Sequence, residues 1–239
     1  MDLARTFELV GFGPDGWGAI LLAGTATTLA AAFCGLLLSF VLGALGASAK
    51  VAGGPAARAA AETYTTILRG VPELLVIFLF YFGSSSVLGA IAALFQYQGF
   101  IALPGFLAGV LAIGVVEGAV MVEVLRGAFL AVKPGEIEAA KACGMNTFLR
   151  FRRIIAPLTL RHALPGIGNV WIGLLKGSSL LSATGVAELM RQTQVAAGST
   201  RLPFDFYVAA GAIYIVITVS SGVVFQLAER HYSRGVARP

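Results

Sequence analysis

Charge-free apolar runs long enough to cross a bilayer alternate along this chain with short charged stretches. No residue from Trp17 to Ala49 is charged, a run of 33 positions. Crossing the hydrocarbon core takes about 20 residues of helix. This run is too long for one upright span and too short for two, so it predicts one long helix over 17–49 with an extended end. Further spans are predicted at about 71–93, 103–125, 163–184 and 206–228. The second contains Glu73, the third Glu117 and Glu123, and the fourth Lys176, while the fifth is uncharged. The pattern is all-α with five transmembrane helices, and an odd number of spans places the termini on opposite sides.

The basic residues orient these spans, because Lys and Arg concentrate in cytoplasmic connections. Lys50, Arg58 and Arg69 lie between spans one and two. Arg126, Lys133, Lys141, Arg150, Arg152, Arg153 and Arg161 lie between spans three and four, and Arg230, Arg234 and Arg238 follow span five. Thus 13 of the 17 basic residues fall on one side; Arg5, Arg191 and Arg201 fall on the other, and Lys176 lies within a span. The N-terminus is predicted to be periplasmic and the C-terminus cytoplasmic. The segment 82–103 has no charge, and Ser84-Ser85-Ser86 with Gln96-Tyr97-Gln98 suits an external connection with some interfacial helix.

Composition supports a membrane protein. Hydrophobic residues make up 57% and charged residues 12%, about half the charge of an average soluble domain. Mean hydropathy is +0.85. These values exclude a disordered chain, a disulfide scaffold and a soluble nucleic-acid binder. The first fifteen residues hold Asp2, Arg5, Glu8 and Asp15, so no cleavable signal peptide is expected. Cys34 and Cys143 predict neither a disulfide nor a metal site. No internal repeat or low-complexity linker interrupts residues 1–239, which read as one domain.

The connection 131–161 carries the clearest mechanism. Lys133-Pro134-Gly135 signals a turn, Glu136 to Cys143 is a helix-forming run, and Gly144 suits a left-handed helix end. Phe148 to Ile155 is again helical, basic on one face and apolar on the other. Two short helices joined by a glycine turn are predicted under the membrane, with Ala139, Ala140 and Ala142 small enough for a second protein to approach. An amphipathic basic loop lying on anionic lipid would account for the arginines equally well.

The spacing Glu138-Ala139-Ala140, then Gly144, Ile154 and Pro157, resembles the "EAA" loop of permease subunits from bacterial binding-protein-dependent ABC importers. Ala156 stands where that family has Leu before the proline. Other stretches resemble the polar amino acid branch: Leu68-Arg69-Gly70-Val71-Pro72-Glu73-Leu74, Glu123 to Phe129, Leu164 to Asn169, and Leu174 to Leu180. The likeness spans about residues 17–236. It is nearest to the first permease subunits of histidine/lysine/arginine/ornithine and opine uptake systems. It implies an inner-membrane subunit that imports basic or polar amino acids or opines. It also implies a second homologous permease or second copy of this chain, an ATPase dimer holding ATP and magnesium, and a periplasmic solute-binding protein. Glu138, Ala139, Ala140, Gly144, Ile154 and Pro157 are then the residues that couple to the ATPase. Glutamine, glutamate or cystine are alternative solutes, and a membrane scaffold or channel is the rival of another class.

Other signals are weaker. Gly11-Phe12-Gly13-Pro14-Asp15-Gly16 fits G-x-G-x-x-G but has no preceding strand, so it reads as a turn before span one. No Walker-type glycine loop is present, so this chain is expected to bind no cofactor itself and to catalyse nothing. His162 and His231 have no metal partner at helical spacing. Gly105/Gly109, Gly114/Gly118 and Gly173/Gly177 allow close helix packing, more in keeping with packing inside one subunit than with a dimer seam.

Charges within spans are costly and face a cavity or a partner charge. Glu123 and Arg126, three apart, suit an interfacial pair. Glu117 has two readings. It pairs structurally with Lys176, or it faces the solute pathway with Glu73, and Ser178 and Ser179 add hydroxyls beside it.

Overall fold

The computed structural model describes residues 8–95 and 102–232. The described residues are almost entirely helical, and their breaks fall at residues that cannot continue a helix. The first helix, α1 (Gly18–Ala52), runs 35 residues without a proline and stops at Gly53-Gly54-Pro55. Helix α2 (Pro55–Gly70) starts with Pro55 in its first turn, where a missing N–H costs nothing. Helix α3 (Glu73–Leu94) follows Pro72, and α4 (Gly105–Leu130) follows Pro104. Helix α5 (Pro134–Ala142) leads to the four-residue α6 (Thr147–Arg150). A π turn (Phe151–Ile155) then passes directly into α7 (Ala156–Gly177) and a 3-10 turn (Ser178–Thr184). Helices α8 (Leu189–Thr200) and α9 (Pro203–Tyr232) complete the described chain.

Four single helices are long and apolar enough to span a membrane: α1, α3, α4 and α9. A fifth span is broken, because the stretch Thr147–Thr184 meets Leu189–Thr200 at 51°. With that bent pair counted as one span, the described residues hold five, in agreement with the apolar pattern. Helix α4 is the central one: 56% of its most apolar window is buried, against 11% for α3 and 6% for α9. It packs on α1, α7, α3 and α2. Gly43 permits the α1–α4 approach, since a side chain there would run into Met121. Ile77, Ile113, Met121, Leu174, Leu175 and Leu181 form the main core. Leu21, Leu189 and Phe206 form a second core, where Trp17 meets Phe206 edge-on at 6.4 Å.

Four expectations change. The connection between spans one and two contains a whole helix, α2, whose charged face hid it from an apolar search. Its Tyr64 hydroxyl donates to the Val115 carbonyl of α4 at 2.6 Å. Ser84, Ser85 and Ser86 are not in a loop, because α3 continues to Leu94. The Ser84 and Ser85 hydroxyls satisfy themselves on the Tyr81 and Phe82 carbonyls, three residues back. Third, the stretch 148–155 is no separate helix; it is the continuous start of the fourth span, which begins at Thr147 rather than 163. Pro157 offers no N–H to the Arg153 carbonyl, and the turn before it is wound wide, with the Ala156 N–H reaching the Phe151 carbonyl. Fourth, α8 extends that span's region beyond 184. Gln96-Tyr97-Gln98, Asp2, Arg5, Arg234 and Arg238 lie outside the described residues. The Gly11–Gly16 region is a turn, closed by the Gly16 N–H on the Gly13 carbonyl at 2.9 Å.

Candidate functional site

The coupling segment is built from a helix end. Gly144 has φ 74°, the left-handed region that glycine enters without strain. Its N–H donates to the Lys141 carbonyl at 2.9 Å, and the Met145 N–H donates to the Ala140 carbonyl at 3.1 Å. These two bonds satisfy carbonyls that the end of α5 would otherwise leave open, a Schellman closure. Asn146 then caps α6, its side-chain oxygen accepting from the Leu149 N–H at 2.8 Å. The short helix α5 therefore ends at Gly144, and Asn146 starts the continuous helical stretch from Thr147.

The faces of this segment differ from a simple small-residue patch. Glu138, Ala139, Ala142 and Gly144 are exposed, and so is Pro157. Ala140 is only 4% exposed and is turned into the subunit. Its helix α5 packs on α6 and the π turn. Ile154 is half-buried. Of the Glu-Ala-Ala run and the neighbouring Ala142, Glu138, Ala139 and Ala142 are thus open to another protein.

The acidic residues of the spans meet two glycines. A Cβ added at Gly173 would overlap the Glu117 carboxylate, and one at Gly177 would overlap the Glu73 carboxylate. The pair Gly173/Gly177 therefore leaves room on α7 for two carboxylates from α4 and α3. Gly173 and Gly177 are four residues, about one helical turn, apart, so the two carboxylates lie on the same face of α7. Glu73 Oε1 is buried with no hydrogen-bond partner. Lys176 is exposed and, among the described residues, forms no ion pair with Glu117 or any other carboxylate. Ser178 is fully buried and donates to the Leu175 carbonyl at 2.8 Å; Ser179 donates to the Lys176 carbonyl at 2.6 Å. Both hydroxyl protons are committed to their own helix, leaving only oxygen lone pairs for other contacts. The remaining glycine pairs serve internal packing: Gly109 lies against Leu181, Gly114 against Leu38 and Gly118 against the Tyr64 hydroxyl.

Glu123 pairs with Arg126 at 2.9 Å, as their spacing predicts. Its shorter contact is with Lys50 of α1, at 2.6 Å, and Lys50 also donates to the Thr65 hydroxyl of α2 at 2.8 Å. This cluster ties α1, α2 and α4 together at one end. A second polar cluster sits at the other break in the fourth span. Glu188 is fully buried and caps α8, accepting from the Met190 and Arg191 N–H groups at 2.8 and 2.7 Å. The Thr28 and Tyr214 hydroxyls donate at 3.4 Å to its Oε2, the oxygen that also accepts from the Met190 N–H. Neither Glu188 nor Lys50 stood out in the sequence, since each lay outside an apolar run or at its edge. Gly185, with φ 83° just before Glu188, is the one local sign that the chain breaks there. Among the described residues no cluster of His, Cys, Asp and Glu could hold a metal.

Comparison with known proteins agrees with this architecture. Residues 35–238 match the family "Binding-protein-dependent transport system inner membrane component". The octopine transport system permease protein OccQ of Rhizobium radiobacter is 56% identical over 231 residues, 97% of this chain and 98% of that protein. The nopaline transport system permease protein NocQ of Agrobacterium fabrum is 45% identical over 99% of both chains. The histidine/lysine/arginine/ornithine transport system permease protein HisQ of Salmonella typhimurium is 39% identical, over 93% of this chain and 97% of that protein. Among solved structures, an amino acid ABC transporter crystallised with histidines superposes with a TM-score of 0.75 at 29% identity, covering 90% of this chain and 95% of its own. The MetNI methionine ABC transporter in an inward-facing conformation shares the fold, with a TM-score of 0.73 at 16% identity, covering 91% of this chain and 98% of its own. This chain belongs to the family of inner-membrane permease components of binding-protein-dependent ABC transport systems.

Proposed function

We propose that this permease subunit imports opines or basic amino acids, and that Glu73 and Glu117 supply the counter-charge for a cationic solute. The observation that carries this reading is the seating of both carboxylates on Gly173 and Gly177 with no cation paired to either among the described residues. Carboxylates held in a low-dielectric span are costly unless a charge compensates them. A passing ammonium or guanidinium group would do so. The relatives named for octopine, nopaline and the histidine/lysine/arginine/ornithine group support the same solute class.

The subunit works beside a second homologous permease or a second copy of itself. A periplasmic solute-binding protein delivers the solute, and two ATPase subunits bind ATP and magnesium. The exposed face of α5, with Glu138 and Ala139 and the Gly144 turn, docks on the ATPase. Ile154 and Pro157 link that contact to α7, since no break in helix separates the π turn from α7. A push on α5 and α6 would thereby reach Gly173 and Gly177, which face the carboxylates.

The test is uptake by the reconstituted importer. Octopine, arginine and glutamine are offered separately to vesicles loaded with ATP, with the matching binding protein outside. Faster uptake of octopine or arginine than of glutamine is expected. Preference for glutamine, glutamate or cystine would overturn the solute class.

A further inference from the structure

Near the coupling segment the subunit carries an apolar groove of about 530 Å³. Its walls come from three places: Phe40, Ala44 and Ser48 of α1, Phe129 of α4, and Phe151 and Thr159 on the stretch leading into α7. We propose that this groove holds one acyl chain of an anionic phospholipid from the cytoplasmic leaflet, with its phosphate on Arg150, Arg152 and Arg153.

Two sets of observations favour this occupant. The groove is apolar, open on one side and of the size that ligand sites commonly have. Water would gain little there, and a methylene chain would be removed from nothing it prefers. The arginines complete the chemistry. Arg150 lies between the lining residues Thr147 and Phe151, and Arg152 and Arg153 follow directly. None of the three forms an ion pair among the described residues. The Arg150 Nε and the Thr159 Oγ1 are both buried without a hydrogen-bond partner. A phosphate oxygen and an ester or glycerol oxygen supply acceptors for such donors. Basic pockets between membrane helices on the cytoplasmic side suit anionic headgroups for this reason.

The inference rests on the cytoplasmic placement of α5 and α6. Labelling of Arg152→Cys from the periplasm would remove that placement, and with it this site, independently of the measurements below.

The assembled importer would be placed in bilayers of equal parts phosphatidylglycerol and phosphatidylcholine, extracted gently, and weighed by native mass spectrometry. Retention of phosphatidylglycerol in preference to phosphatidylcholine is expected. Ser48→Phe, which fills the groove from an exposed position, should cut that retention by about tenfold. Arg150→Gln with Arg152→Gln should abolish the preference between the two lipids. A photoreactive residue at Ala52, which also lines the groove, should crosslink to lipid in the assembled importer. Unchanged retention in an assembled Ser48→Phe complex, or no lipid preference in the unmodified one, would overturn the proposal. So would a crosslink from Ala52 to the ATPase or the second permease, and this crosslink decides alone if Ser48→Phe fails to assemble.

Discussion

The Glu117 carboxylate of α4 lies against the bare backbone of Gly173 on α7, where a side chain would displace it. This relationship makes Gly173→Ala informative. Alanine in a helix interior gains about 0.5–1 kcal/mol over glycine in propensity. If only propensity mattered, the variant would be more stable and as active. Because the added methyl overlaps the carboxylate, we expect uptake of cationic solute to fall by about tenfold, equivalent to about 1.4 kcal/mol. Transport kinetics and thermal melting of the same preparation check both halves of this expectation. Full uptake by Gly173→Ala would show that Glu117 need not sit where the structure places it.

Glu117→Gln separates the two sequence-level readings of that residue. Lys176 is exposed and forms no ion pair among the described residues, so removing the Glu117 charge strands no buried ammonium. Assembly should remain intact, uptake of arginine or octopine should fall by about tenfold or more, and adding Lys176→Gln should change neither result. Loss of assembly in Glu117→Gln with recovery in the double variant would establish a structural pair instead.

Gly144→Val should uncouple the subunit. A Cβ at Gly144 meets nothing within 4 Å, so the cost is not a clash with neighbouring groups. It comes from φ 74°, which a β-branched residue avoids at about 1–2 kcal/mol or more. The Lys141 and Ala140 carbonyl closures would open, and the α5–α6 angle with them. Membrane insertion should be normal while uptake and solute-stimulated ATP hydrolysis are lost. Normal uptake would show that the turn geometry is not needed for coupling.

Lys50→Met tests the tie between α1, α2 and α4. The Lys50 side chain is 10% exposed and that of Glu123 is 27% exposed. Its loss leaves Glu123 with Arg126 alone and the Thr65 hydroxyl oxygen without its donor. A destabilisation of about 1–2 kcal/mol is expected for a partly buried charge losing one of two partners. For a chain of this length that is a fall in Tm of roughly 2–4 °C per kcal/mol. Adding Glu123→Leu should recover part of it, because the stranded carboxylate is then gone. Unchanged melting of Lys50→Met would mean the 2.6 Å contact contributes nothing net.

Topology can be read by labelling. Cys34 and Cys143 are exposed, so both are first changed to Ser. Cysteines introduced at Ala102, exposed in the connection before α4, and at Arg201 should then react with an impermeant maleimide from the periplasm, and one at Arg152 only after the membrane is opened. Reaction of all three from one side would refute the five-span orientation.

What could be read from the chain alone is what neighbours in sequence decide. A 33-residue run without charge has to be a buried or lipid-facing helix, and α1 is one. The Gly144 turn is closed by residues at most five positions apart, so its geometry follows from Lys141, Ala140 and Met145 without help from the fold. Glu123 and Arg126 meet because three residues is nearly one helical turn. Tertiary structure decided the remainder. Glu123 has its closest partner 73 residues away in Lys50, and nothing local marks that pair. Gly173 and Gly177 look like a helix seam in sequence, yet they make room for Glu117 and Glu73, because helix crossing fixes which side chain enters a gap. Helix α2 stays hidden from an apolar search because its polar face is exposed and only Ala61 and Thr65 are buried. Glu188 reads as a loop residue until the 51° break before α8 is seen, with Thr28 and Tyr214 donating to its carboxylate there. An isolated charge in a sequence states only that a partner or a cavity is required; the packing of the helices chooses which.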